Sequence, residues 1–196
     1  RALVPNNYAK AMSGVDAADA FKGKTDYEAC TIAQMRAAIA AQSGNVAAAT
    51  KAYDVLINSP RTPKAAKGQM LMAQASMAYG AKDYAHAVPP AQRYLNEIGP
   101  DPRVQTMLIQ SFYLQQDWKG TSKVAQDQVD ATIKAGKIPT ENQLQMLATA
   151  YTNLHDSTNQ THTYVLLAKY YSKPDYWAML IHNLVADPNM SPPLVF

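Results

Sequence analysis

Asp83-Tyr84-Ala85-His86-Ala87 decides how this chain folds, because its pattern recurs. A short polar residue, then a ring or branched side chain, then a small residue appear as Asn7-Tyr8-x-x-Ala11, Asn45-Val46-x-x-Ala49, Asp83-Tyr84-x-x-Ala87 and Asp117-Trp118-x-x-Thr121. The successive spacings are 38, 38 and 34 residues. A period of that size belongs to stacked helix pairs, each of which can bury its apolar stripe only against a neighbour. The ring or branched residue fills the gap within a pair. The small residue lets two backbones approach, and Thr121 in that place needs a local acceptor for its hydroxyl.

On either side of that segment, apolar residues at three-to-four spacing predict helices over 7–20, 26–42, 45–58, 63–79, 83–98, 102–115, 117–135, 140–154, 159–171 and 174–185. Gly23, Gly44 and Gly136 stop helices, and most of the 12 prolines fall between them. Thr25 or Asp26, and then Thr140, are candidate caps. Pro174 suits a first turn. The Pro89-Pro90 doublet falls inside a helical stretch and predicts a kink or a restart at Pro89. The turn at 155–158 lacks the signature, so regular repetition is expected to end there. One domain over 1–185 and an irregular tail over 186–196 are expected. Asn7-Tyr8 reads as the start of a second helix whose partner precedes Arg1, as in a fragment or a processed chain.

Composition excludes several function classes. The 196 residues are 47% apolar and carry a net charge of +3 with both signs mixed. That is no nucleic-acid footprint, which needs basic residues gathered on one face. No apolar stretch is long enough to span a membrane. The single Cys30 forms no internal disulfide framework, and on an apolar helical stripe it reads as a small hydrophobe. His86, His155, His162 and His182 lack the spacing and the acidic partners of a metal site. No nucleophile elbow and no glycine-rich phosphate loop occur. No catalytic residue, cofactor or metal is therefore assigned, and the chain is expected not to be an enzyme.

The pattern resembles the tetratricopeptide repeat, two antiparallel helices in about 34 residues with a small residue packed under a ring. Asp83-Tyr84-Ala85-His86-Ala87 with Gln92-Arg93-Tyr94-Leu95 matches the second helix of that repeat, and the likeness spans roughly residues 7–171. It departs from the family in having no tryptophan in its first helices. The chain is also similar to a group of exported bacterial tetratricopeptide proteins with no assigned activity. Tyr27-Glu28-Ala29 with Met35-Arg36-Ala37-Ala38, then Leu108-Ile109-Gln110-Ser111-Phe112-Tyr113-Leu114, then Lys169-Tyr170-Tyr171-Ser172-Lys173-Pro174-Asp175-Tyr176-Trp177 carry this likeness. Ser172 stands where the group leads one to expect proline. Members continue into further repeats, and the end Leu194-Val195-Phe196 fits a truncation. The resemblance implies an all-α, right-handed superhelical solenoid of antiparallel helix pairs with about ten helices. It also implies a periplasmic or otherwise exported location, with a cytoplasmic one left open.

In that family the exposed edges of the first helices line a concave groove. The matching residues are Gln69, Met72, Ser76 and Tyr79, then Arg103, Thr106, Gln110 and Tyr113, then Leu144 and Tyr151. Tyr79, Tyr113 and Tyr151 form either a ladder for peptide capture or packing between units. Arg103 has the geometry to hold a carboxylate in two parallel bonds. The lysine and asparagine clamp of chaperone-tail binders is missing. The expected function is a non-enzymatic scaffold that binds a protein or peptide, with no nucleic acid, no membrane span and no cofactor. The alternative is an envelope assembly part that self-associates through the apolar helix holding Tyr176, Trp177, Leu180, Ile181 and Leu184.

Overall fold

The computed structural model describes residues 7–186, which form ten α-helices and no strand. They are α1 (Tyr8–Asp19), α2 (Asp26–Gln42), α3 (Val46–Asn58), α4 (Lys64–Gly80), α5 (Tyr84–Glu97), α6 (Pro102–Leu114), α7 (Trp118–Lys134), α8 (Glu141–Asn153), α9 (Ser157–Tyr171) and α10 (Pro174–Ala186). Two compact units divide between Met107 and Leu108, inside α6. The expected tail beyond Ala186 lies outside the described residues.

In the first unit, α1 packs on α2, α2 on α3, α3 on α4 and α4 on α5. Its α2–α3 core is built of small residues, Ala33, Ala37, Ala52 and Leu56, with Cys30, Tyr53 and Met70 against them. In the second unit, α7 packs on α8, α8 on α9 and α9 on α10. Leu144, Leu147 and Leu167 are fully buried there, beside Ile109, Val129 and Tyr151. Ala49, Ala87 and Thr121 have no exposed surface. The Thr121 hydroxyl donates to the Asp117 carbonyl at 2.8 Å, which supplies the acceptor its burial requires.

The recurring polar residue is a helix cap. The Oδ1 atoms of Asn45, Asp83 and Asp117 accept from the N–H groups of Ala48, His86 and Gly120 at 3.1, 3.3 and 2.9 Å. The residue before each cap is left-handed: Gly44 has φ 71°, Lys82 60° and Gln116 59°. That conformation lets one turn close two helix ends. The N–H of Asp83 reaches back to the Ala78 carbonyl at 2.9 Å and that of Lys82 to the Tyr79 carbonyl at 2.9 Å. This is a Schellman ending whose last residue also caps the next helix.

His155-Asp156 builds the same turn, which corrects the expectation that repetition ends there. His155 has φ 57°. The Asp156 N–H bonds the Tyr151 carbonyl at 3.0 Å, and its carboxylate accepts from the Asn159 N–H at 3.1 Å. The ring had vanished from this unit, since Ser157 follows the cap, but the capping geometry had not. Asp156→Ala is expected to destabilise the second unit by about 1 kcal/mol. Urea unfolding followed by tryptophan fluorescence checks this, and an unchanged midpoint would contradict it.

Three further ends agree with the sequence. Thr25 with Glu28 and Thr140 with Gln143 form capping boxes, and Pro174 opens α10. At the proline doublet one of the two alternatives is ruled out: α5 runs as a single helix through Pro89 and Pro90 rather than restarting. Proline's fixed φ suits a helix. What the doublet removes is the ordinary donors to the carbonyls of Ala85 and His86.

Candidate functional site

Each of the three predicted groove tyrosines has a partner within its own unit. Tyr79 packs edge-on against Tyr84 at 5.5 Å, and Tyr113 against Trp118 at 5.5 Å. Each meets the ring of the signature that follows it, so both serve the junction between two helices. Tyr151 is buried, and its hydroxyl donates to Gln126 Oε1 at 3.0 Å. Burial pushes its phenol above the usual range. Leu144 is fully buried.

The polar members of the set are mixed. Arg103 is largely exposed, but its guanidinium is already held by Asp101, with Nη2 to Oδ2 at 2.9 Å and Nε to Oδ1 at 3.3 Å. Those bonds hold the Asp101 carboxyl down at about 2. The Thr106 hydroxyl donates to the Pro102 carbonyl at 2.8 Å. Gln69 and Ser76 are exposed, while Met72 and Gln110 are half-buried.

The first unit has an open cleft of about 660 Å³ elsewhere. One wall is α3, through Val46, Ala47, Thr50, Lys51 and Asp54. The other is the start of α5, through Asp83, His86, Pro89, Pro90 and Arg93. The floor is α4, through Leu71, Gln74 and Ala78. At about 100° per residue, these floor residues and the predicted stripe Gln69-Met72-Ser76-Tyr79 occupy nearly opposite sides of α4. None of the ten predicted residues lines this cleft.

Gln74 is the unusual member of the floor. It is only 5% exposed, and it interrupts the apolar run of Leu71, Ala75 and Ala78. Its Nε2 donates to the Thr50 carbonyl at 3.0 Å and to Asp54 Oδ1 at 2.8 Å. Both amide hydrogens are thereby used on α3. On the opposite rim, His86 Nδ1 lies 2.8 Å from the Asp83 carboxylate. The bonds from the His86 ring and N–H keep the Asp83 carboxyl below its usual range. Arg93 is held by Glu97 at 2.8 Å. The cleft therefore offers an apolar floor, prolines on one wall and polar groups fixed by their neighbours. Nothing in it pairs a nucleophile with a base.

A second polar cluster, in the second unit, ties α10 to α8. Lys173 Nζ lies 2.6 Å from Glu141 Oε1, the Tyr176 hydroxyl bonds the same oxygen, and Gln145 Nε2 donates to that hydroxyl at 2.6 Å. The Lys173 and Tyr176 bonds hold the Glu141 carboxyl below its usual range. Tyr176 and Leu180 face inward, whereas Trp177, Ile181 and Val185 are exposed at successive turns. Among the described residues, no three His, Cys, Asp or Glu side chains gather as a metal site would need. No helix there is long and apolar enough to cross a membrane.

Two signals pointed to the cleft: a glutamine within an apolar stripe and a proline doublet inside a helix. Each looked like a local irregularity, because neither says which side of the helix stays open. The chain matches no protein-family model, and no curated protein matches it either.

Proposed function

We propose that the chain is a tetratricopeptide-like right-handed solenoid of antiparallel helix pairs that binds a protein or peptide partner and catalyses nothing. The observation that carries this is the open cleft of about 660 Å³ walled by α3 and α5. Sites for small ligands and short segments span roughly 300–1,000 Å³ and combine an apolar lining with a few fixed polar groups. The cleft has that make-up. It also moves the binding surface from the first-helix face to the second-helix side of the first unit.

The test separates the two faces. A photo-crosslinking amino acid is placed at Ala47, on the cleft wall, or at Ser76, on the opposite side of α4. Both positions are exposed. In native-host extract the Ala47 variant is expected to give a discrete protein adduct and the Ser76 variant none. Adducts at Ser76 alone would return binding to the first-helix face. Adducts at neither would sink the scaffold reading. By resemblance, the native setting is the bacterial periplasm.

One observation favours a second reading. Trp177, Ile181 and Val185 form an exposed apolar stripe on α10, a surface that suits self-association within an envelope assembly. Sedimentation velocity over a concentration series decides it, and a monomer at every concentration excludes it.

A further inference from the structure

We infer that the occupant of the α3–α4–α5 cleft is an extended peptide segment of four to five residues, apolar on either side of an acidic residue. This rests on the scaffold reading above and names the partner's chemistry. Three features lead to it.

The first is length. Lining residues run from Val46 to Asp54 on α3 and from Asp83 to Arg93 on α5. At about 1.5 Å per residue these walls are about 12 and 15 Å long. An extended strand advances about 3.3 Å per residue, so four to five residues fill the trough.

The second is Gln74. Its Nε2 is committed to Thr50 and Asp54, and no donor among the described residues reaches Oε1. Oε1 is not sealed from solvent, so a donor arriving in the cleft takes the place of water on that oxygen. An extended peptide brings such donors as backbone N–H groups. It lays apolar side chains on Leu71, Ala78 and Pro89 at the same time.

The third is charge. Asp54 is held by Gln74, Asp83 by His86 and Arg93 by Glu97. Two lining charges have no ion pair among the described residues: Asp54, whose carboxylate accepts from Gln74, and Lys51, which no carboxylate engages. The complement of that ammonium beside an apolar floor is a carboxylate on the ligand. On a wall this exposed the pair adds selectivity and speed of association more than affinity.

The experiment uses fluorescein-labelled, C-terminally amidated pentapeptides, Leu-Ala-Glu-Leu-Ala and Leu-Ala-Lys-Leu-Ala, titrated with the whole chain by fluorescence anisotropy at low salt. The acidic probe is expected to bind about tenfold more tightly than the basic one, and Lys51→Glu to invert that order. Methylating the amide nitrogens of the acidic probe one at a time should find one position that weakens binding by about fivefold, the N–H received by Gln74. Octanoate, a free amphipathic carboxylate, should not compete. Equal binding of the two probes, an order unchanged in Lys51→Glu, or displacement by octanoate would each overturn the assignment. If neither probe binds while a partner still crosslinks at Ala47, the peptide class is wrong and the scaffold stands. If both fail, both fall.

Discussion

Leu147→Ala is expected to destabilise the second unit by about 4 kcal/mol, and Leu71→Ala the first unit by only about 2 kcal/mol. Both leucines are essentially unexposed, at 0% and 1%, so burial alone predicts equal losses. Their surroundings differ. Leu147 lies within a closed cluster with Leu144, Leu167, Val129 and Ile109. Removing three carbons there forfeits their transfer energy and leaves a void whose walls lose contacts. Leu71 forms the floor of the open cleft. Its truncation deepens a space that solvent already enters, so the transfer term of about 0.8 kcal/mol per carbon dominates. Trp118 and Trp177 both belong to the second unit. Tryptophan fluorescence in urea therefore follows that unit, while far-UV ellipticity follows both, and the two curves show whether the units unfold together. An equal loss at the two positions would mean that the Leu71 site collapses no better than a sealed core.

The fold was legible because the repeat is written in caps. Asn45, Asp83 and Asp117 stand one residue before a ring or branched side chain. That pairing survives in the linear sequence because both jobs, capping and filling the gap, fall on adjacent residues. Asp156 does the first job without the second, so a search for the pair stopped one turn early. A left-handed residue before an Asx cap is the more durable sign. Three of the four such positions are nonetheless Lys82, Gln116 and His155 rather than glycine. Neighbouring hydrogen bonds hold these residues in a conformation that costs them about 1–2 kcal/mol each, and composition gives no hint of it. The proline doublet misled for a related reason. Two missing donors near the start of α5 cost hydrogen bonds there without ending the helix.

The candidate site was less legible, and the cause lies in α4. Resemblance to a tetratricopeptide groove assigned Gln69, Met72, Ser76 and Tyr79 to the open side of α4. Leu71, Gln74 and Ala78, on nearly the opposite side, are buried like core. Both α3 and α5 pack on α4, and the cleft between those two walls opens over these residues. That depends on how far apart two walls stand, a distance set by residues from Val46 to Arg93 together. For Tyr79 and Tyr113 the spacing left a ladder and packing open, and the rings of Tyr84 and Trp118, five residues later in each case, pack on them.

Gly120→Ala should destabilise the second unit by about 1–2 kcal/mol, against the sign that helix propensity gives. Alanine inside a helix is ordinarily favoured over glycine by up to about 1 kcal/mol. Gly14 in α1 should behave that way, because a Cβ there meets nothing within 4 Å. At Gly120 a Cβ would lie 2.5 and 2.7 Å from two ring carbons of Phe112 and 2.8 Å from Asp117 Oδ2. The ring is 9% exposed and cannot swing clear. The carboxylate is the cap of α7, bonded to the Gly120 N–H itself. Relief by moving the ring costs packing, about 1–3 kcal/mol. Relief by moving the carboxylate costs the cap, about 1 kcal/mol. Either exceeds or cancels the propensity gain. The equivalent positions at the other turns are Ala40 with Ala48, Ala78 with His86 and Tyr151 with Asn159, so a side chain is ordinary at this helix position and what sets Gly120 apart is the close approach of the Phe112 ring. Phe112→Ala should therefore make Gly120→Ala neutral or favourable, a coupling that the double-mutant cycle reads directly. Additive losses in that cycle would show that the ring is not what forbids a side chain at position 120.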